Sequence, residues 1–161
     1  MIDKSKNGFE DLVKTVDKII SDPDGINLKL QKICDLLATS VSGYDWVGFY
    51  FVNPKKEREL ILGPFAGEPT DHIRINFGQG ICGQAAEKEE TIIIDDVSAE
   101  SNYLSCNINV KSEIVIPLYK DNKIIGELDL DSHQPARFAE DDKIFLQKIA
   151  DIVAAFIQEK K

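Results

Sequence analysis

The sequence has little of several residue types that would point to a specialised class of protein. It contains three cysteines, two histidines, one methionine and one tryptophan among 161 residues. Three widely spaced cysteines are too few for a disulfide framework, and no C-x-x-C pair typical of thioredoxin-like redox motifs occurs. No apolar run approaches the roughly 20 residues that span a bilayer, and the N-terminal residues lack the apolar stretch of a secretory signal. We therefore expect a cytoplasmic protein with free thiols.

Positive charge is scarce as well. The chain has 19 Lys and Arg against 28 Asp and Glu, which leaves a formal net charge of −9. This balance argues against binding to nucleic acid or to an anionic membrane surface, because both need clustered basic residues. The length predicts one domain spanning residues 1–161, and the 43% of hydrophobic residues is enough for a packed core.

The order of periodic segments predicts an α+β domain. Apolar spacing predicts two helices within residues 1–42, and a closing helix is predicted over residues 140–158. Short connections near residues 53–56 and 121–122 predict antiparallel hairpins. Cys34 falls inside the apolar pattern of the second helix and is predicted to be a core residue. Further elements are a short helix over 84–88 and strands over 46–52, 59–62, 73–77, 91–94, 113–118 and 123–131.

The strand over 123–131 carries acidic groups on one face. Glu127, Asp129 and Asp131 alternate with leucines, so the three carboxyl groups share a side of the sheet. This face is either solvated or lines a pocket in which crowded carboxylates raise one another's pKa. A weak metal site formed by Asp129, Asp131 and His133 is a further option.

The strand over 46–52 is also two-sided. Trp46 and Tyr50 flank Gly48 on one face, and the remaining apolar residues occupy the other. Two aromatic rings on either side of a glycine suit a wall for a small ligand that carries a methyl, sulfur or cationic group. Ordinary core packing is the equally weighted alternative.

Two irregular segments contain the remaining candidates. Residues 95–112 show no sustained period, and loops of this length in compact domains tend to be functional. Cys106 lies there, in the polar surroundings typical of reactive cysteines. Residues 78–83 (GQGICG) match G-x-G-x-x-G, but neither a buried parallel strand before them nor repeated βαβ units after them are present. A tight turn into a short helix is therefore favoured over nucleotide binding.

Taken in order, these motifs resemble a known family. WVGFY at 46–50, LGPFAG at 62–67, GQGICG at 78–83, Cys106 seven residues before Glu113, and GELDLDS at 126–132 resemble the free methionine-(R)-sulfoxide reductases, single-domain enzymes with a GAF fold. The resemblance covers residues 44–158. It implies a six-stranded antiparallel sheet with helices on one face and a ligand pocket on the other. It also implies reduction of the free amino acid methionine-(R)-sulfoxide to methionine.

The resemblance assigns roles to individual residues and shows one departure. Better-known members of the family carry a third cysteine, which forms the disulfide with the catalytic cysteine, shortly before the Arg-Ile pair that leads into the glycine-rich turn. Here His72 stands near that place, so the usual resolving thiol is missing. Reduction of the oxidised catalytic cysteine must then use Cys82 or an external thiol. The matching positions are Cys106 for the catalytic cysteine, Glu113, Asp129 and Asp131 for the pocket carboxylates, Trp46 and Tyr50 for the aromatic wall, and Cys82 for a further, candidate resolving cysteine.

We therefore expect thiol-dependent sulfoxide reduction. The Cys106 thiolate attacks the sulfoxide sulfur, and a carboxyl group kept neutral by its neighbours protonates the departing oxygen. Nearby carboxylates raise the pKa of the thiol, and Lys111 or Arg74 are the candidate cations that offset this effect. No cofactor is expected, because an external thiol such as thioredoxin supplies the electrons, and a homodimer is expected. The alternatives are a GAF module that binds a small molecule without catalysis and a nucleotide-dependent oxidoreductase built on residues 78–83.

Overall fold

A single antiparallel sheet organises the chain. The structure is a computed structural model that describes residues 6–101, 103 and 108–159. Within these ranges six strands lie in the order β3-β2-β1-β6-β5-β4, and every neighbouring pair is antiparallel. The α+β class and the six-stranded antiparallel sheet are thereby confirmed. The strands are β1 (Trp46–Val52), β2 (Glu59–Ala66), β3 (Arg74–Asn76), β4 (Ile92–Ile94), β5 (Ser112–Lys120) and β6 (Lys123–Ser132).

Three helices cover one face of the sheet. The helices of the described residues are α1 (Lys6–Ser21), α2 (Ile26–Ser40), α3 (Gly80–Lys88) and α4 (Glu140–Glu159), with a 3-10 turn at Val97–Ala99. α2 packs on β1 and β2, α4 packs on β5, and α1 lies against α2 and α4. Phe49 and Leu128 reach this layer from the sheet and are fully buried. Cys34 is also fully buried in this core, which confirms its predicted role.

The opposite face carries α3. This helix packs against β3, β5 and β6 and joins a second buried cluster that includes Trp46, Tyr50, Ile75, Ile81 and Val115. The expected arrangement of helices on one side and a pocket on the other holds for α1, α2 and α4. α3 adds a cover on the pocket side, which the strand and helix patterns did not predict. No helix in the described ranges is both long and apolar enough to cross a membrane.

Turn chemistry fixes how the elements connect. Asp121 and Asn122 have φ angles of +51° and +63°, as a two-residue hairpin between β5 and β6 requires. Gly78 and Gly80 have φ angles of +87° and +65°, so the glycine-rich segment is a tight turn that leads into α3. A Cβ atom on Gly83 would lie 2.4 Å from the Asn76 carbonyl oxygen, so this position needs the close approach of a glycine.

Candidate functional site

Strand register brings the carboxyl groups of two strands together. On β6, Glu127, Asp129 and Asp131 point to the face that carries α3. In the β5–β6 pairing Glu113 stands opposite Asp131, and in the β1–β6 pairing Tyr50 stands opposite Glu127. Directly opposed positions in an antiparallel pair have Cβ atoms about 5 Å apart. Four carboxyl groups therefore share one patch of the sheet, which we call the carboxyl cluster (Glu113, Glu127, Asp129 and Asp131).

The carboxyl cluster is withdrawn from solvent. The four side chains are at most 5% exposed, and Glu127 is fully buried. Neither carboxyl oxygen of Glu127 has a hydrogen-bond partner among the described residues, and the same holds for one oxygen each of Asp129 and Asp131. In the described part of the chain no lysine or arginine forms a salt bridge with these three groups. Uncompensated burial of this kind strongly disfavours the ionised state.

Burial shifts the protonation of these groups. It raises the pKa of Glu127 and Asp131 well above the usual values, and the charge of Asp129 adds to both shifts. Burial also raises the pKa of Asp129, whereas hydrogen bonding with Glu113 partly lowers it. Two carboxyl groups can share a hydrogen bond only when one of them holds a proton. The cluster therefore retains protons at pH values where isolated carboxyl groups have lost them.

An aromatic wall borders the cluster. Trp46 and Tyr50 lie on the pocket face with ring centroids 6.5 Å apart, and Gly48 between them leaves room, because a Cβ atom there would lie 2.4 Å from the indole ring. The Trp46 indole N–H donates to the carbonyl oxygen of Glu68 at 3.0 Å, and the Tyr50 hydroxyl donates to that of His72 at 2.9 Å. These bonds hold the segment between β2 and β3 against the rings.

Cys82 connects α3 to the carboxyl cluster. Its thiol donates to the Glu113 carboxyl at 3.9 Å between sulfur and Oε2. Burial, followed by the charges of Asp129, Glu127, Glu113 and Asp131, raises the pKa of the Cys82 thiol well above its ordinary value. Cys82 is therefore a protonated hydrogen-bond donor at neutral pH and a poor nucleophile.

A small cavity of about 10 Å³ lies where these elements meet, with room for about one water molecule. Of the predicted site residues, Tyr50, Cys82, Glu113 and Asp129 line it. Trp46 lies four positions before Tyr50 on β1, and Asp131 lies two positions after Asp129 on β6. Trp46 and Asp131 face each other in the register. The other lining residues are His72, Ile75, Gln79, Gly80 and Ile81.

The comparisons with known proteins agree with this architecture. The profile of the GAF domain family matches residues 30–158, most of the chain. The chain belongs to the GAF domain family. GAF domain-containing protein A of Dictyostelium discoideum is 36% identical over 147 residues, which is 90% of this chain and 89% of that protein.

Two further relatives of this GAF domain are named for an activity. The free methionine-R-sulfoxide reductase of Escherichia coli (strain K12) is 31% identical over 141 residues, covering 88% of this chain and 83% of that enzyme. An X-ray structure of the free methionine-R-sulfoxide reductase from Neisseria meningitidis in complex with its substrate superposes with a TM-score of 0.89. It is 32% identical and covers 98% of this chain and 94% of that chain. The family resemblance drawn from the motifs is confirmed.

The predicted catalytic cysteine falls in the part of the GAF domain that the structure does not describe. Cys106 belongs to residues 104–107, which lie outside the described ranges. The flanks of this segment are described. Tyr103 packs against the buried hydrophobic cluster on the pocket face, which includes Trp46 and Tyr50. The Lys111 N–H donates to the carbonyl oxygen of Ser132 at 2.8 Å, at the end of β6. Both flanks are thus anchored on or beside the pocket side.

Two sequence-based options are not supported by the geometry. His133 is 44% exposed at its side chain and lies beside Asp45, with 3.8 Å between Nδ1 and Oδ2, so it does not join Asp129 and Asp131 in a metal site. Arg74 is 61% exposed and pairs with Glu59 at 3.1 Å. It is therefore engaged at the β2–β3 edge and is not a cation of the pocket.

Sequence reasoning missed two parts of the site. Glu127 was recognised on the acidic face but was not among the proposed site residues, although the strict alternation with Asp129 and Asp131 carried that signal. The backbone carbonyl groups of Glu68 and His72, which anchor the aromatic wall, had no sequence signal because any residue supplies a carbonyl oxygen.

Proposed function

We propose that this GAF domain reduces free methionine-(R)-sulfoxide to methionine with electrons from thiols. The observation that carries the proposal is the buried carboxyl cluster beside the Trp46–Tyr50 wall, with one cavity lined by residues of both. Such a site offers a hydrogen-bond donor to a sulfoxide oxygen and an apolar, polarizable surface to a methyl sulfide group. The similarity to named free methionine-R-sulfoxide reductases supports the same substrate.

The cluster suits a ligand that is itself a cation. Glu127, Asp129 and Asp131 have no salt-bridge partner in the described part of the chain. A bound ammonium group would supply the counter-charge that allows one of them to ionise while another keeps its proton. Free methionine sulfoxide has such a group, whereas a methionine inside a polypeptide has an amide in its place. The substrate is larger than the 10 Å³ cavity, so its binding requires the lining side chains to move apart.

The chemistry balances with one enzyme thiol and two external thiols. The Cys106 thiolate attacks the sulfoxide sulfur while a protonated carboxyl of the cluster donates to the sulfoxide oxygen. The S–O bond and the transient bond between the two sulfurs then break as the hydroxyl group passes to the Cys106 sulfur, which yields methionine and a sulfenic acid. An external thiol then attacks the sulfenic sulfur with release of water. A second external thiol reduces the resulting mixed disulfide and regenerates Cys106.

The protonation of the carboxyl cluster also affects the pKa of the proposed nucleophile, Cys106. Carboxyl groups that retain their protons raise the pKa of a neighbouring thiol less than ionised ones do, because they add no negative charge. The raised pKa of Cys82 favours an external thiol over Cys82 as the group that resolves the sulfenic acid, since attack requires a thiolate. A thioredoxin-like protein or a small dithiol fits this role.

Steady-state turnover tests the proposal. The protein is supplied with dithiothreitol and either free methionine-(R)-sulfoxide, the S epimer or a peptide containing the R sulfoxide. We expect methionine from the free R epimer alone, loss of turnover in Cys106→Ser, and full turnover in the core variant Cys34→Ala. Equal rates for wild type and Cys106→Ser would overturn the assignment. Binding of the free R epimer without any turnover would favour a ligand-binding GAF module instead.

A further inference from the structure

Cys82, Glu113 and Asp129 form a three-sided arrangement of metal-ligand atoms. One ligand atom from each, the Cys82 sulfur and a carboxyl oxygen from each acid, lies within 4.8 Å of the others, and all three residues are buried. The Cys82 sulfur and Glu113 Oε2 are 3.9 Å apart. Tetrahedral zinc with Zn–S of about 2.3 Å and Zn–O of about 2.1 Å separates such a pair by about 3.6 Å. Shifts of about 1 Å or less would bring the three atoms to zinc distances.

A second observation points to a ligand at this arrangement. Oδ1 of Asp129 has no hydrogen-bond partner among the described residues, although the side chain is only 2% exposed. Buried polar atoms without a partner are rare in folded proteins, and an ion is one of the ordinary explanations. The adjoining cavity of about 10 Å³ has room for about one water molecule, which leaves an open position for a fourth ligand.

We propose that Cys82, Glu113 and Asp129 bind one thiophilic divalent cation such as Zn²⁺. A thiolate with two carboxylates offers one soft and two hard donors, which zinc and cobalt accept and which magnesium and calcium do not favour because they require all-oxygen sites. Asp129 is also one of the three carboxyl groups proposed to bind the substrate ammonium group, so the metal and the substrate compete for it. The cation is therefore an inhibitor of the site and not a cofactor of the reaction.

Cobalt titration tests the site without any assay of turnover. Reduced protein is desalted under argon, because dithiothreitol binds zinc and cobalt, and is titrated with CoCl₂. We expect a thiolate-to-cobalt charge-transfer band that saturates at about one equivalent per chain and is displaced by Zn²⁺ but not by Mg²⁺. Cys82→Ser removes the band, Asp129→Asn weakens binding at least about tenfold, and the core control Cys34→Ala leaves it unchanged.

The Cys106→Ser variant is the control that shows which cysteine binds the metal. In Cys106→Ser only Cys34 and Cys82 remain, and Cys34 is buried in the other core cluster. X-ray absorption of zinc-loaded Cys106→Ser should show one sulfur ligand together with oxygen ligands, which keeps the test valid even when Cys82→Ser does not fold. No band in wild type, or a band that disappears in Cys106→Ser and persists in Cys82→Ser, overturns the proposal.

Inhibition is the one part that rests on the proposed function. If the protein reduces free methionine-(R)-sulfoxide, single turnovers without a thiol reductant should show that Zn²⁺ raises the substrate concentration for the half-maximal rate and leaves the maximal rate unchanged. Inhibition that lowers the maximal rate alone would place the metal elsewhere. If no turnover is found at all, the cobalt band still decides whether the metal site exists, so failure of the function and failure of the site are distinguishable.

Discussion

Replacing Glu127 by glutamine tests whether the carboxyl cluster holds protons. Glu127 is fully buried, and its oxygens have no hydrogen-bond partner among the described residues. Burial raises its folded-state pKa well above the unfolded value of about 4.3. Between these two values the folded protein binds one proton more than the unfolded chain does at this group. The contribution of Glu127 to the free energy of unfolding is therefore fully present below about pH 4.3 and falls as the pH rises.

The magnitude of this pH effect follows from the same linkage between proton binding and the free energy of unfolding. Within this window each pH unit removes about 1.4 kcal/mol of stability for one proton difference. Glutamine has nearly the same shape as glutamate but does not ionise, so the free energy of unfolding of the variant does not fall with pH at this position. Relative to wild type, Glu127→Gln should gain about 1.4 kcal/mol between pH 5 and pH 6. For a domain of this size that corresponds to about 3–5 °C in melting temperature.

Urea unfolding at pH 5, 5.5 and 6 measures this difference directly. The exposed Glu90 provides a matched control, because Glu90→Gln makes the same chemical change at a carboxyl group on the surface. A constant difference between Glu127→Gln and wild type across the three pH values would refute the reasoning. It would mean that the buried carboxyl is ionised when the protein is folded.

Further predictions concern the aromatic wall, the cluster and the buried thiol. Gly48→Ala should raise KM about tenfold or more with a smaller effect on kcat, because its Cβ displaces the Trp46 ring; Gly25→Ala, which meets no atom within 4 Å, should leave KM unchanged. Asp129→Asn should lower kcat/KM by roughly 10²–10⁴ if Asp129 takes part in proton transfer or ammonium binding, and a fall of less than threefold would exclude both roles. Cys82 should resist iodoacetamide at pH 7 in the folded protein and react after unfolding in urea, as peptide mass spectrometry can follow. Rapid labelling of Cys82 in the native state would contradict a buried, protonated thiol.

The strands and hairpins follow closely from local pattern. β1 has the predicted bounds of residues 46–52 because β-branched and aromatic residues fill it at every position except Gly48. The β5–β6 turn falls on Asp121 and Asn122, two residue types that tolerate positive φ. Alternation along β6 also predicted which side chains share a face, since the period of a strand is two.

The predicted and observed elements differ where tertiary contacts override the local preference of the sequence. β2 continues to Ala66, beyond the predicted end at residue 62, although Pro64 lacks an N–H group. A register shift opposite Phe49 accommodates the proline, and local pattern does not show such a shift. α3 begins at Gly80 and not at residue 84, because packing against β3 requires the glycines that a propensity argument assigns to a turn. The pocket chemistry could be predicted only as shared faces, because burial and pKa depend on α3 covering the sheet.

Single-turnover trapping tests the central claim most directly. Reduced protein is mixed with free methionine-(R)-sulfoxide in the absence of any reductant and in the presence of dimedone, which captures sulfenic acids. The account predicts about one methionine released per chain and a dimedone adduct on the peptide that contains Cys106. Absence of methionine, or an adduct on Cys82 alone, would contradict it.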